Sequence, residues 1–587
     1  GMRAAVGGHI LLLNNDVVVT RGWLAGMLDA LAREPKAGLA GPMTNEIAGV
    51  QKVPGADYRS TEELERFADR FRNEHYGRRI AVDKLVGFAL LFARSVFEEI
   101  GGLDPRFGSG NFEDDDFCLR AELKGWGCVI AGDVFIHHYG SRSFTGNRID
   151  HAQAMRKNRR AFDLKWDLGA LGQETAARLL VHNARVRGQR LAREGKLGEA
   201  VDLLLNQGVA LAAGGSAPYL TLAGLLAEAG KAREALEVLD GLPGNREPAL
   251  LLLRARCHRE LGERDEARRW AERAVELDPE GGALLALTGA LALDAGDAEG
   301  AEELLVRALK TDPGCAAACD ALASLFGKRG DRDRALQLAE LSFVLNPLDL
   351  GALGRYHDLA VSCRALPREE ERLKEALCLY PGHKGLAYAL IELLIRGGRY
   401  GEAIAAIGEA AARYGLDDAG IDAALQIRAL AGEPARSGTD GGVSLCMIVK
   451  DEARHLPRVL ASVRGLADEL VVVDTGSSDR TRDIARIFGA RLFSFPWNGS
   501  FADARNLSLE KASGAWILVL DADEALAPRD LPPLAELVRS GAEVAYSFTT
   551  RNYTDAVARR NWVANVGEYP EQERGGGWTP SEKVRLF

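Results

Sequence analysis

Three short stretches of this chain put oxygen-bearing side chains where they could do chemistry. The first is "GNFEDDDFCLR" (110–120), in which Glu113, Asp114, Asp115 and Asp116 run in succession between Phe112 and Phe117. At contact distance like charges repel by about 1 kcal/mol per pair even in water, and by more where solvent is thin. A run of four flanked by aromatic and apolar residues therefore needs a reason. The second stretch is "WILVLDADEAL" (516–526), an apolar run that ends in Asp521 and Asp523. Two carboxylates two residues apart at a strand end can hold a hard cation, which in turn neutralises a diphosphate. Mg²⁺ and Mn²⁺ favour such oxygen ligands shared with substrate phosphates. The third, "HILLLNNDVVV" (9–19), repeats the pattern, with Asn14, Asn15 and Asp16 after a buried run.

Elements of recognisable period must carry these residues. "VSLCMIV" (443–449) has strand length, and "ELVVVDTGSSDRTRDIARIFGA" predicts a strand ending at Asp474, a Thr-Gly-Ser-Ser turn and a helix capped near Asp479. "GAWILVLDADEAL" supplies a third strand. Strands alternating with helices predict an α/β parallel sheet, which binds ligands at the carboxyl ends of its strands. Asp474, at such an end, is placed to accept from a base or a ribose. "HAQAMRKNRRAFDLKW" (151–166) predicts a basic amphipathic helix that closes a domain rather than binding a membrane.

Between about 170 and 435 the composition shifts to Ala, Leu, Glu and Arg. Pro279, Pro313, Pro347 and Pro381 recur every 34 residues. A second series agrees with it: Gly195, Gly230, Gly262, Gly296, Gly330 and Gly398 each open a motif such as "GDRDRA" or "GRYGEA". The unit "RALPREEERLKEALCLYP" has lost its glycine but kept Pro381. A helix–turn–helix unit of this period resembles the tetratricopeptide repeat. About seven units over 170–435 predict a solenoid with a concave surface for a protein partner or an acceptor. In the unit ending at Pro313, Gly289 lets two helices approach and Ala301, Leu305 and Ala308 pack inward. Cys315 and Cys319, and the histidines of the array, read as packing or surface residues rather than ligands. "RSGTDGG" (436–442) reads as a linker.

"VSLCMIVKDEARHL", "VVVDTGSSDRT", "ADARNLSLEKASGAWILVLDADE" and "GGGWTPSEKVRLF" together resemble the N-terminal, nucleotide-sugar-binding half of a family 2 glycosyltransferase with the GT-A fold, over 443–587. The resemblance implies that Asp474 and the Asp451/Glu452 region contact the nucleotide, with Asp479 and Arg505 beside it. Asp521 and Asp523 would hold the metal diphosphate, so this segment is expected to bind a nucleoside diphosphate only with Mn²⁺ or Mg²⁺. Residues 9–145 resemble the acceptor half of the same family, within a segment 1–168. By that resemblance Asp16 is a metal ligand, and Asp114, with Glu113 beside it, is the base that takes the acceptor hydroxyl's proton. Asp115 and Asp116 are then expected in the first turn of the following helix, where its dipole favours anions and Arg120 offsets charge. A histidine after the last strand resembles a third metal ligand, with His138 favoured over His137.

The implied activity is inverting, metal-dependent transfer of a sugar from a nucleotide-diphosphate sugar to a hydroxyl of a glycan or protein. The rival reading is a non-catalytic repeat scaffold carrying remnant modules. The chain opens at a helix end running straight into a buried strand and stops mid-strand by pattern, so the sequence reads as an internal piece of a longer, bacterial-type protein. Its 587 residues suit several domains, and a net charge of −10 gives no reason to expect nucleic acid. No apolar run approaches the 18 or so residues of a membrane span. Eight scattered cysteines without a CxxC pair fit a reducing cytoplasm, with any membrane association arising through partners.

Overall fold

A computed structural model of the chain describes residues 1–34, 36–47, 49–108, 110–140, 151–207, 217–242, 247–432, 442–540, 544–555, 561–565, 569 and 572–587. The expected linker therefore lies, apart from Gly442, outside the described residues. The chain divides into two compact units, Gly1–His383 and Lys384–Phe587.

The first unit opens with a mixed sheet of β1 (His9–Leu13), β2 (Val17–Val18), β3 (Ala37–Thr44), β4 (Arg79–Val82), β5 (Ala89–Ala93) and β6 (Gly127–His138). The order is β1-β5-β3-β6-β2, with β4 also on β6. Side chains alternate across it as strand geometry requires. Leu39, Leu90, Phe92 and Ile130 face α2 (Thr61–Glu74) and α4 (Glu113–Leu123), which follows the short α3 (Arg94–Ile100). Their immediate neighbours Ala40, Leu91, Val129 and Ala131 face α1 (Trp23–Arg33). Both faces are thus covered, which explains why these strands read as continuous apolar runs.

After the helix His151–Lys165, twelve more follow among the described residues of this unit, paired from Gln173–Arg193 and Leu197–Asn206 to Leu350–Ser362 and Leu366–Leu379. The six periodic glycines all adopt the left-handed backbone, with φ between 70° (Gly398) and 88° (Gly296). That conformation, costly for a residue with a Cβ, is why glycine recurs there. The unit that lost its glycine has Arg364 at the equivalent turn, at φ 59°. Ala301, Leu305 and Ala308 are fully buried. A Cβ on Gly289 would lie 2.7 Å from Leu305 Cγ, so the close approach requires glycine.

The N-terminal sheet is fastened to this array. Arg79 pairs with Asp312 at 2.8 Å and Arg78 with Glu375 at 2.7 Å, while His75 also meets Glu375. Gly77 and Gly314 bring their backbones so close that a Cβ on Gly77 would lie 2.7 Å from Gly314 N.

The second unit has a seven-stranded sheet of β7 (Val443–Val449), β8 (Glu469–Asp474), β9 (Arg491–Ser494), β10 (Trp516–Val519), β11 (Tyr546–Thr554), β12 (Val563–Ala564) and β13 (Gly577–Leu586), ordered β11-β13-β10-β7-β8-β9 with β12 on β13. β10, β7, β8 and β9 run parallel as the sequence predicts. The remaining edge does not: β13 is antiparallel to β10 and forms a long hairpin-like pair with β11. Helices Lys384–Arg396, Tyr400–Tyr414 and Asp418–Ala431 belong to this unit. Their Ile391, Ile404, Ile407 and Ile421 share one core with Leu445, Met447, Val472 and Leu518. Among the described residues no helix is long and apolar enough to cross a membrane.

Candidate functional site

In the first unit, β1 runs out into Asn14, Asn15 and Asp16, and the register of β2 on β6 sets Val17 opposite His138 and Val18 opposite His137. Successive residues of β6 point to opposite faces, which separates the two histidines. His137 Nδ1 bonds the Tyr58 hydroxyl at 2.7 Å and its ring packs edge-on against Tyr139. His138 instead turns Nε2 to Asp16 Oδ1, 3.5 Å away. Its Nδ1 lies 2.8 Å from the Glu46 carbonyl oxygen, which can only accept, so Nδ1 carries a proton and the neutral ring presents its lone pair at Nε2. Phe88 stacks on the ring with centroids 5.1 Å apart. Asp16 Oδ1 is buried with no hydrogen-bond partner among the described residues. An orphaned carboxylate oxygen facing an oriented imidazole lone pair fits a divalent cation as a two-residue protein donor set, leaving other positions to phosphate oxygens or water.

Gly87, the residue before Phe88, connects this corner to the acid run: its N–H donates to Asp114 Oδ2 at 2.8 Å. The four acids lie differently from the sequence expectation. α4 begins at Glu113, so all four occupy its first turn, not Asp115 and Asp116 alone. The reason is Phe112, which takes the left-handed backbone at φ 72° directly after Asn111 at 73° and starts the helix early. The helix His151–Lys165 holds that turn. Buried Asn158 donates to the carbonyl oxygens of Gly110 (2.7 Å) and Asn111 (3.2 Å), and Phe162 packs on Phe112.

Each acid has a different neighbour. Asp116 is fully buried against Arg120 (2.8 Å), Lys165 (2.6 Å) and Trp166 Nε1 (3.0 Å), which makes it structural. Asp115 pairs with Lys84 at 2.8 Å. Asp114 accepts from the Gly87 and Asp115 N–H groups, and burial followed by the Asp115 charge raises its pKa above the ordinary carboxylate range. Burial, with Asp114 beside it, pushes the Glu113 carboxyl up to about 7, and its Oε2 is buried with no hydrogen-bond partner among the described residues. The pair therefore contains a carboxyl poised to exchange a proton near neutrality, the property a general base needs.

In the second unit the chain passes from β7 outward to β8 and β9, then returns to β10 on the other side of β7. The crevice at the carboxyl ends of β7 and β10 is thus a topological switch point, where sheets of this type bind ligands. The predicted nucleotide contacts lie at these strand ends, and several use their oxygens on their own loops. Asp451 Oδ1 accepts from Ser478 N (2.7 Å), Ser478 Oγ (3.0 Å) and Asp479 N (3.3 Å), bonds that hold its pKa low. Glu452 N donates to Thr481 Oγ1 (2.7 Å) and Ala453 N to Asp479 Oδ2 (3.1 Å). Asp474 is buried and accepts from Ser477 N at 3.1 Å. These bonds staple the loop after β7 to the loop after β8 and shape the crevice floor.

Arg505 lies across the crevice, donating to Cys446 O (3.2 Å) and to Asp521 Oδ1 (3.0 Å). Lys583 and Arg585 reach Asp521 Oδ2 at 3.3 and 3.1 Å. Burial pushes the Asp521 carboxyl up, but Arg585, Arg505 and Lys583 outweigh it and hold it below the usual range. The expected two-carboxylate seat does not fit this arrangement: Asp521 faces three cations, and Asp523 is exposed. The sequence reading missed Lys583, Arg585 and Glu524. Their signal was present, since Lys583 and Arg585 stand two apart on one strand and share a face.

Residues 444–582 match the model of the glycosyl transferase family 2, and residues 248–280 that of the tetratricopeptide repeat. The chain thus carries a family 2 glycosyl transferase domain and a tetratricopeptide repeat region. It is 60% identical over 84 residues to a TPR repeat-containing protein of Synechococcus elongatus, covering 14% of this chain and 21% of that one. It is 38% identical over 110 residues to an uncharacterized glycosyltransferase of Rickettsia bellii, covering 19% and 34%. A like-named protein of Rickettsia prowazekii is 32% identical over 110 residues, with the same coverage. The chain spans 21% of the Synechococcus protein and 34% of each rickettsial one.

Proposed function

We propose that the chain contributes to an inverting, metal-dependent glycosyltransferase that moves a sugar from a nucleotide-diphosphate donor to a hydroxyl of a glycan or protein. In this reading 1–168 is the acceptor half of one GT-A module and 443–587 the donor half of a second, with the repeats of 170–435 between them. The observation that carries it is the Asp16–His138 corner: a buried carboxylate oxygen with no hydrogen-bond partner among the described residues, facing an imidazole whose other nitrogen is fixed by Glu46. A divalent cation bound there would offset the charge of a departing diphosphate. Asp16 and His138 would hold it. Asp114, linked to His138 through Gly87 and Phe88, would take the acceptor hydroxyl's proton, and Glu113 would tune that exchange. In the second module the crevice between β7 and β10 would take the nucleotide, which the family match over 444–582 supports. The repeats would present an acceptor or a partner.

Mn²⁺ binding to the whole chain, followed by electron paramagnetic resonance, tests the corner directly. Asp16→Asn and His138→Ala should each weaken it, by about 10- to 100-fold if one ligand or its orienting partner is lost. Unchanged Mn²⁺ binding in both variants would remove the metal from this corner.

A further inference from the structure

Asp521 sits at the carboxyl end of β10 among Arg505, Lys583 and Arg585, and Glu524 joins them. Glu524 Oε2 accepts the Asp521 N–H at 3.1 Å, Lys583 lies 3.4 Å from Glu524 Oε1, and Arg585 bonds both acids. Three cations against two carboxylates leave one positive charge. It is not evenly placed. The side chain of Arg585 is 5% exposed and that of Arg505 22%, while Lys583 is 48% exposed. Arg585 Nε is also buried with no hydrogen-bond partner among the described residues. Lys583 and Arg585 converge on the same oxygen of Asp521, so their charges repel at close quarters, and an anion at this spot would relieve that repulsion.

Resting on the donor-site reading above, we infer that in this module the donor's diphosphate is held by a protein cation cluster, with Lys583 and Arg505 facing the phosphates and Asp521 acting as the anchor that positions them, rather than as half of a metal seat. Asp521, just past the end of β10, holds the Lys583 ammonium from β13 and the Arg505 guanidinium, which also reaches Cys446 O in β7. Charge-assisted hydrogen bonds of this kind are the strong ones, and preorganised cations need no reordering when phosphate arrives. Asp523, exposed and outside the cluster, is left for any cation that accompanies the donor.

Calorimetric titration of the whole chain with UDP, GDP, ADP and dTDP, in chelator and again with Mn²⁺, tests this. At least one nucleotide should bind in chelator. Lys583→Met should weaken that binding by about 10- to 100-fold, the worth of a hydrogen bond to a charged group. Lys583→Arg should restore most of it, and the melting temperature of both variants should match the parent, since Lys583 is half exposed. Asp521→Asn leaves the cluster one charge more positive but without its anchor, so binding in chelator should depend more steeply on salt and should be weaker than the parent's at high salt, where positioning rather than net charge holds the phosphates. Binding seen only with Mn²⁺, or unchanged in Lys583→Met, overturns the inference and leaves the donor site standing. Binding of no nucleotide in either buffer removes the donor site and this inference together.

Discussion

Glu113 shows how a single side chain carries a measurable signature of its surroundings. Burial and the neighbouring Asp114 raise its carboxyl from an ordinary 4.5 to about 7. The folded state therefore holds this proton more tightly than the unfolded chain does. The resulting stability is complete below about pH 4.5 and is lost as pH rises through 7, because the folded state must then bear a poorly solvated carboxylate. After discounting for a side chain still partly open to solvent, the effect is on the order of 1 kcal/mol. Urea unfolding at several pH values between 5 and 8 should show a declining stability in the parent that Glu113→Gln flattens, leaving the variant relatively more stable at pH 8. Parallel pH profiles for the two proteins would contradict the assignment. That the acids divide their duties was legible from their number alone, since four like charges cannot share one environment. Which of them is poised was not legible. It depends on Gly87, Lys84 and Lys165, contacts that only the folded chain makes.

Elements differ in how openly they declare themselves. The repeat turns were legible because a left-handed backbone selects glycine at one fixed position in each unit, and the period survives even where one glycine is missing. Arg364 is the exception that measures the rule. A left-handed conformation costs a non-glycine residue about 1–2 kcal/mol, of which glycine's greater freedom in the unfolded chain takes back about 0.5–1. Arg364→Gly should therefore stabilise the array by about 0.5–1 kcal/mol. Hydrogen exchange should slow in Leu350–Ser362 and Leu366–Leu379, the helices that flank the turn. Faster exchange there would mean that the arginine side chain compensates in some other way. The start of α4 was misplaced by the sequence for the opposite reason. Phenylalanine gives no sign of adopting a left-handed backbone, and the residue that secures the turn, Asn158, lies 47 positions from Asn111, whose carbonyl it holds. The same holds at the second crevice, where Asp521 meets cations from a strand 62 and 64 residues onward. The strand itself was visible as an apolar run; its ion pairs were not.

At the scale of the whole chain, composition marks the end of the helical region near 435, but packing draws its boundary at His383 and Lys384. The last three helices bury Ile391, Ile404, Ile407 and Ile421 in the same core as the β7–β10 sheet. Each such side chain contributes about 1.5–3 kcal/mol when fully buried, so their loss would outweigh the few kcal/mol by which a domain is stable. A segment of residues 384–587 should unfold cooperatively on heating and remain in solution. One of residues 443–587 should bind hydrophobic dye or precipitate. If the shorter piece melts as sharply as the longer one, the shared core is not what holds the sheet. For anyone cutting and splicing this protein, the transferable cassette therefore begins inside a helical repeat. A graft joined at the compositional seam would carry a raw apolar wound on the face those helices were covering.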